Sequence, residues 1–108
     1  MTFPKFIINR GDLVTGNVEF HRELARDHSQ TRGGGWWHLD RANGIMYLYN
    51  KSIDFGQAER EDVIQAVERG LLAPSLSKLR FFHSTKESLH DAMEDPDGVW
   101  ITPDEELD

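Results

Sequence analysis

The chain has 108 residues and a net charge of −7, with 38% hydrophobic and 29% charged side chains, the composition of a single ordinary globular domain. It contains no cysteine, which excludes disulfides, zinc–thiolate centres and cysteine nucleophiles and makes a reducing cytoplasm the expected compartment. No apolar run is long enough to span a membrane, and the N-terminal MTFPKFIINRG lacks the charged-then-apolar order of a signal peptide.

The acidity is local. Residues 91–108 hold eight acids and no Lys or Arg, whereas the first ninety residues hold eleven acids and all twelve bases. A nearly neutral body with an acidic tail argues against duplex nucleic acid as the partner. It leaves room for a small phosphorylated ligand, which needs only a few cations and backbone donors.

In chain order, FPKFIIN (Phe3–Asn9) is apolar and β-branched and predicts a buried strand, followed by a turn at Arg10-Gly11-Asp12. The stretch LVTGNVEFHRELARDH is ambiguous. Val18 and Phe20 alternate as in a strand, while Phe20 and Leu24 share a helical face. With Asn17 as N-cap and Glu19 in the first turn, the spacing predicts a helix from near Asn17 to before Gly33. Gly35–Asp40 and Ile45–Asn50 read as two strands joined through Asn43-Gly44, a strong hairpin signal. In the second strand Ile45, Tyr47 and Tyr49 fall on one face and Met46 and Leu48 on the other, so both faces are expected to be covered.

KSIDFGQ then reads as a loop. AEREDVIQAVERGLL predicts an amphipathic helix, with Val63, Ile64, Val67 and Leu71 on its apolar face and Gly70 at its C-terminal stop. SKLRFFHS predicts a further strand, and Ser84 with Glu87 has the spacing of a capping box for a short helix in KESLHDAME. A turn at Pro96–Gly98 and an edge strand in VWIT complete the chain. The expected fold is a single α+β domain: a mixed β-sheet with a central hairpin and two to three helices.

Lys5, His21, Gly33-Gly34-Gly35 and Ser52 are the residues that could carry chemistry. Taken singly, each has an ordinary structural role as well. A strand lysine faces solvent, a histidine packs, a triple glycine joins segments and a serine caps a turn. His28, His38, His83 and His90 lack metal-ligand spacing, and Trp36, Trp37 and Trp100 come with no basic groove that would make them a base-stacking platform.

Order and spacing give the set more meaning. GGG, followed through a hairpin by IMYLYNKSIDFG and Ala58, resembles the Janus/Ocnus family of protein histidine phosphatases. That family's stretch begins with three glycines and ends Y-x-x-S-x-x-[YF]-G-x-A, here Tyr49, Ser52, Phe55, Gly56 and Ala58. EFH (Glu19–His21) resembles the family's Glu-Tyr-His, LVTG its Ile-Val-Arg-Gly, and FPKFII its first strand. The resemblance runs from Phe3 to Ser84, so residues 1–84 would be the phosphatase-like domain and 85–108 a C-terminal extension with an acidic tail.

The resemblance implies a phosphohistidine or other phosphoramidate phosphatase that uses no metal and no cofactor. His21 would be the general base or nucleophile, with phosphate held by Lys5 and by Lys51, Ser52 and Ile53 of the loop after the hairpin. Successive loop amides make a nest for an anion. A helix starting near Asn17 would lower the pKa of His21 through its dipole. The ligand would be a phosphorylated small molecule or phosphoprotein.

Two positions depart from the family's pattern. Trp36 stands where it has an arginine, and Asp54 where it has a small residue. Asp54 would either repel a bound phosphate or cap a turn with its side chain turned away. Lys51 would either pair with Asp54 or supply the missing positive charge. The alternative function is therefore a non-catalytic anion- or protein-binding domain of the same fold, in which the acidic tail is an interaction segment.

Overall fold

The computed structural model describes residues 1–25, 27–70 and 79–101. Six strands form one mixed sheet in the order β2-β1-β3-β4-β5-β6: β1 (Phe3–Asn9), β2 (Asp12–Val18), β3 (Thr31–Asp40), β4 (Ile45–Tyr49), β5 (Arg80–His83) and β6 (Val99–Ile101). Neighbouring strands are antiparallel except β4 and β5, which are parallel and are separated in sequence by helix α1 (Arg60–Gly70). A short helix, α2 (Leu89–Met93), lies between β5 and β6. The α+β class and the mixed sheet are as expected.

The sheet is covered on both faces, because β1 and β4 send alternate side chains each way. Phe6, Ile8, Leu48 and Phe81 pack with Val63, Ala66 and Val67 of α1. Ile45, Tyr47, Tyr49 and Phe82 pack with Ala92 of α2 on the opposite side. Residues 89–101 belong to the same sheet and core as the rest, since β6 pairs with β5 and α2 covers β4. Leu71, expected on the buried face of α1, and residues 102–108 of the tail lie outside the described residues.

The predicted helix from Asn17 to Gly33 does not form. The turn at Arg10-Gly11 instead folds Asp12–Val18 back on β1 in full register, from Asn9↔Asp12 to Phe3↔Val18. Arg10 and Gly11 both take positive φ, 54° and 80°, as this tight reversal requires. A β-sheet partner thus overrides the local capping signals at Asn17. Beyond β2 the chain forms one 3₁₀ turn at His21–Glu23 and a second at His28–Gln30.

The triple glycine is likewise no loop, because β3 starts at Thr31 and Gly33–Gly35 are buried within it. The Asn43-Gly44 hairpin forms as a longer loop than a two-residue turn. Gly44 has φ 66°, and Asp40 accepts hydrogen bonds from the Asn43 N–H (3.3 Å) and side-chain amide (2.8 Å).

Ser84 does not cap α2. That position belongs to Ser88, whose hydroxyl accepts the Asp91 N–H at 3.1 Å. The buried Ser84 hydroxyl donates to Asp95 Oδ2 at 2.6 Å, which holds the Asp95 carboxyl below the usual carboxylate range.

Its neighbour His83 is 2% exposed and faces Arg60. Burial, reinforced by the Arg60 charge, lowers the His83 pKa to about 4 from 6.5. The unfolded chain then binds the extra proton first as pH drops, so this contribution is complete above pH 6.5 and disappears between 6.5 and about 4. A urea titration at pH 7.5 and at pH 4.5 is expected to show about 2–3 kcal/mol of stability lost on acidification through this residue. His83→Gln removes that share of the loss. An unchanged pH dependence in the variant would contradict the assignment.

Candidate functional site

Lys5 leaves β1 between Gly16 of β2 and Trp36 of β3. It is only 9% exposed, and its ammonium donates to the Glu19 carbonyl. Nζ also lies 5.6 Å from the Trp36 ring centroid, 5.7 Å from that of Phe3 and 6.0 Å from that of Phe20. Aromatic faces and a carbonyl thus replace the water that burial removes from this cation.

His21 opens the 3₁₀ turn after β2, a turn fixed by the Phe20 N–H donating to Glu23 Oε2 at 2.7 Å. The imidazole is 3% exposed and lies against Gly34, where an added Cβ would come within 3.3 Å of the ring's Cδ2. Nε2 donates to the Gly35 carbonyl at 2.7 Å. A carbonyl only accepts, so Nδ1 is the lone-pair nitrogen of the neutral ring. It has no protein partner among the described residues.

The His21 pKa is lowered, first by burial and then by the Lys5 charge, against opposing effects of the Gly35 bond and of Asp54. The neutral imidazole expected from a helix dipole is therefore supplied by desolvation and a neighbouring cation. The triple glycine acts as the floor on which this ring rests.

The loop after β4 closes on itself. Asn50, at φ 64°, turns the chain out of the strand, and its side chain accepts the Lys51 N–H at 2.8 Å. Ser52 and Gly56 exchange backbone hydrogen bonds of 3.1 and 2.8 Å, and the Ser52 hydroxyl accepts the Phe55 N–H at 3.0 Å. Gly56 also accepts the Gly34 N–H at 3.1 Å, pinning the loop to β3. Four of the six amides from Lys51 to Gly56 are thereby used, and those of Ile53 and Asp54, at the loop tip, have no acceptor among the described residues.

A cavity of about 240 Å³ lies between these segments. Lys5, His21, Lys51 and Ile53, four of the five residues singled out from sequence, line it. Ser52 is 2% exposed and does not; it organises the loop from beneath. Trp36 forms one wall, its ring 5.2 Å from that of Phe3. Trp37 packs in the α1-side core and Trp100 meets Phe82 edge-to-face, so the tryptophans share no platform.

Lys51 pairs with Glu87 at 3.3 Å, and Asp54 with Arg22. The Arg22 N–H reaches Asp54 Oδ2 at 3.1 Å and its Nη1 reaches Oδ1 at 3.3 Å, joining the 3₁₀ turn to the loop tip. Asp54 is thus neither turned away nor bound to Lys51. Sequence reasoning missed Arg22, whose one signal is its place directly after His21.

Comparison with protein-family models, curated proteins and solved structures finds no match. The site therefore stands on its geometry. Among the described residues it combines a buried neutral imidazole whose Nδ1 has no partner, one desolvated and two more exposed cations, and two unpaired amides. Such a set can hold a small oxyanion and place a base or nucleophile against it.

Proposed function

We propose that this chain is a phosphoramidate phosphatase of the Janus/Ocnus type, acting on phosphohistidine. The observation that supports it is convergence: Lys5 from β1, His21 from the turn after β2 and the loop tip after β4 all line one cavity. Lys5 and the Ile53 and Asp54 amides bind the phosphoryl oxygens. The Nδ1 lone pair of His21 either attacks phosphorus or takes a proton from the attacking water. In both cases the substrate's P–N bond breaks, the departing imidazole picks up a proton, and water ends as part of inorganic phosphate.

A second reading is favoured by one observation: the Asp54 carboxylate lines the same cavity. A resident carboxylate opposes an incoming anion, which suits a domain that binds a phosphorylated partner without turnover. Incubating the intact chain with a phosphohistidine peptide, with free phosphate measured over time, separates the two when combined with a phosphate titration followed by amide NMR. Turnover together with shifts at Ile53 and Asp54 is the expected result. Shifts without turnover leave the binding domain, and the absence of both overturns either reading.

A further inference from the structure

We propose that Arg22 is a phosphate-binding residue of this cavity and that Asp54 is its internal competitor, a carboxylate that an incoming phosphoryl group displaces. This rests on reading the cavity as a phosphate site. Among the described residues three cations line it, and they are held differently. Lys5 is fixed by a carbonyl and aromatic rings, and Lys51 reaches outward to Glu87. Arg22 alone of these has its charged partner inside the cavity lining.

The pair is built to exchange. The Arg22 side chain is 52% exposed and that of Asp54 22%, and an ion pair this open shifts an equilibrium by a factor of about five or less. Only Nη1 of the guanidinium engages Asp54, so most of its five N–H donors remain for another acceptor. Its plane is already positioned, with Cζ 4.2 Å from the Phe20 centroid. A phosphoryl group accepts the guanidinium fork bidentately and carries more charge than a carboxylate. When the Asp54 side chain yields, its backbone N–H stays in the loop tip as a donor, so the exchange removes a repulsive charge without losing an amide. The arginine that the sequence lacks at Trp36 is in this way supplied from the residue after His21.

The test titrates inorganic phosphate into the intact chain, read by amide NMR, for wild type, Asp54→Asn, Arg22→Gln and the double variant. The asparagine keeps an acceptor for the Arg22 N–H, and both sites are open enough for the fold to persist, which unchanged spectra away from the cavity verify. Asp54→Asn is expected to tighten phosphate binding about three- to tenfold, Arg22→Gln to weaken it about tenfold, and the gain from Asp54→Asn to vanish in the double variant. Because Asp54 raises the proton affinity of His21, Asp54→Asn is also expected to move the His21 titration to lower pH. Phosphate binding that neither single variant alters, or that Asp54→Asn weakens, overturns the exchange while leaving the phosphate site intact. No phosphate binding by any form overturns both.

Discussion

Phosphate release from a phosphohistidine peptide is expected to fall by about a hundred- to ten-thousand-fold in His21→Gln, the range a positioned base contributes. Glutamine is the informative replacement because its Nε2 amide reaches the place of the imidazole Nε2 and can still donate to the Gly35 carbonyl, the anchor of the native ring. What it removes is the second nitrogen, Nδ1, with its titrable lone pair. The fold should therefore survive while the chemistry does not.

The pH profile supplies an independent sign. The His21 pKa is lowered from 6.5, first by burial, so the neutral and active form persists into mildly acidic solution. The acid limb of kcat/KM is expected below pH 6.5, falling tenfold per unit beyond it. Equal rates for wild type and His21→Gln would remove His21 from the reaction, and an acid limb above pH 6.5 would contradict its buried environment.

The parts of this site written locally in the sequence are legible there, and the parts made by distant chain are not. The strand at Phe3–Asn9, the hairpin around Asn43-Gly44 and helix α1 each declare themselves within a dozen residues through periodicity and turn chemistry. The segment Asp12–Val18 does not. Its outcome depends on pairing with β1, which outweighs a good cap at Asn17.

The role of Ser52 escapes the sequence for a related reason. A hydroxyl beside a free amide invites an anion, but this one is buried beneath the loop, where it accepts the Phe55 N–H three residues on, a contact typical of serine in turns. Arg22 and Asp54 are 32 positions apart, and no periodicity links them. Only the meeting of the 3₁₀ turn with the loop tip brings them together. Asp54 thus has its counterpart in Arg22, and Trp36 forms a wall beside Lys5.

Gly35→Ala is expected to cost about 3 kcal/mol of stability, read as a lowered urea midpoint, and to impair the site as well. An added Cβ at this position would lie 2.3 Å from the Tyr49 carbonyl oxygen, 2.8 Å from the Phe6 ring and 3.1 Å from the Asn50 carbonyl oxygen. Two of these three atoms are backbone, and no rotamer change relieves them. Strand β3 cannot slide away either, since Gly35 pairs with Phe6 of β1 on one side and Trp36 pairs with Tyr49 of β4 on the other. Relief must come from prising β3 and β4 apart near Asn50, where the loop after β4 begins. The same residue's carbonyl holds His21 Nε2, so the imidazole would lose its alignment along with the loop.

Gly56→Ala is the control. Its φ of 79° carries a conformational cost of about 1–2 kcal/mol, but nothing lies within 4 Å of the added Cβ. If glycine at position 35 is required by close approach rather than by backbone freedom, Gly35→Ala must be clearly the worse of the two, in both unfolding and turnover. Equal costs would mean that the sheet yields at this point, and that the glycine floor does not hold the histidine in place.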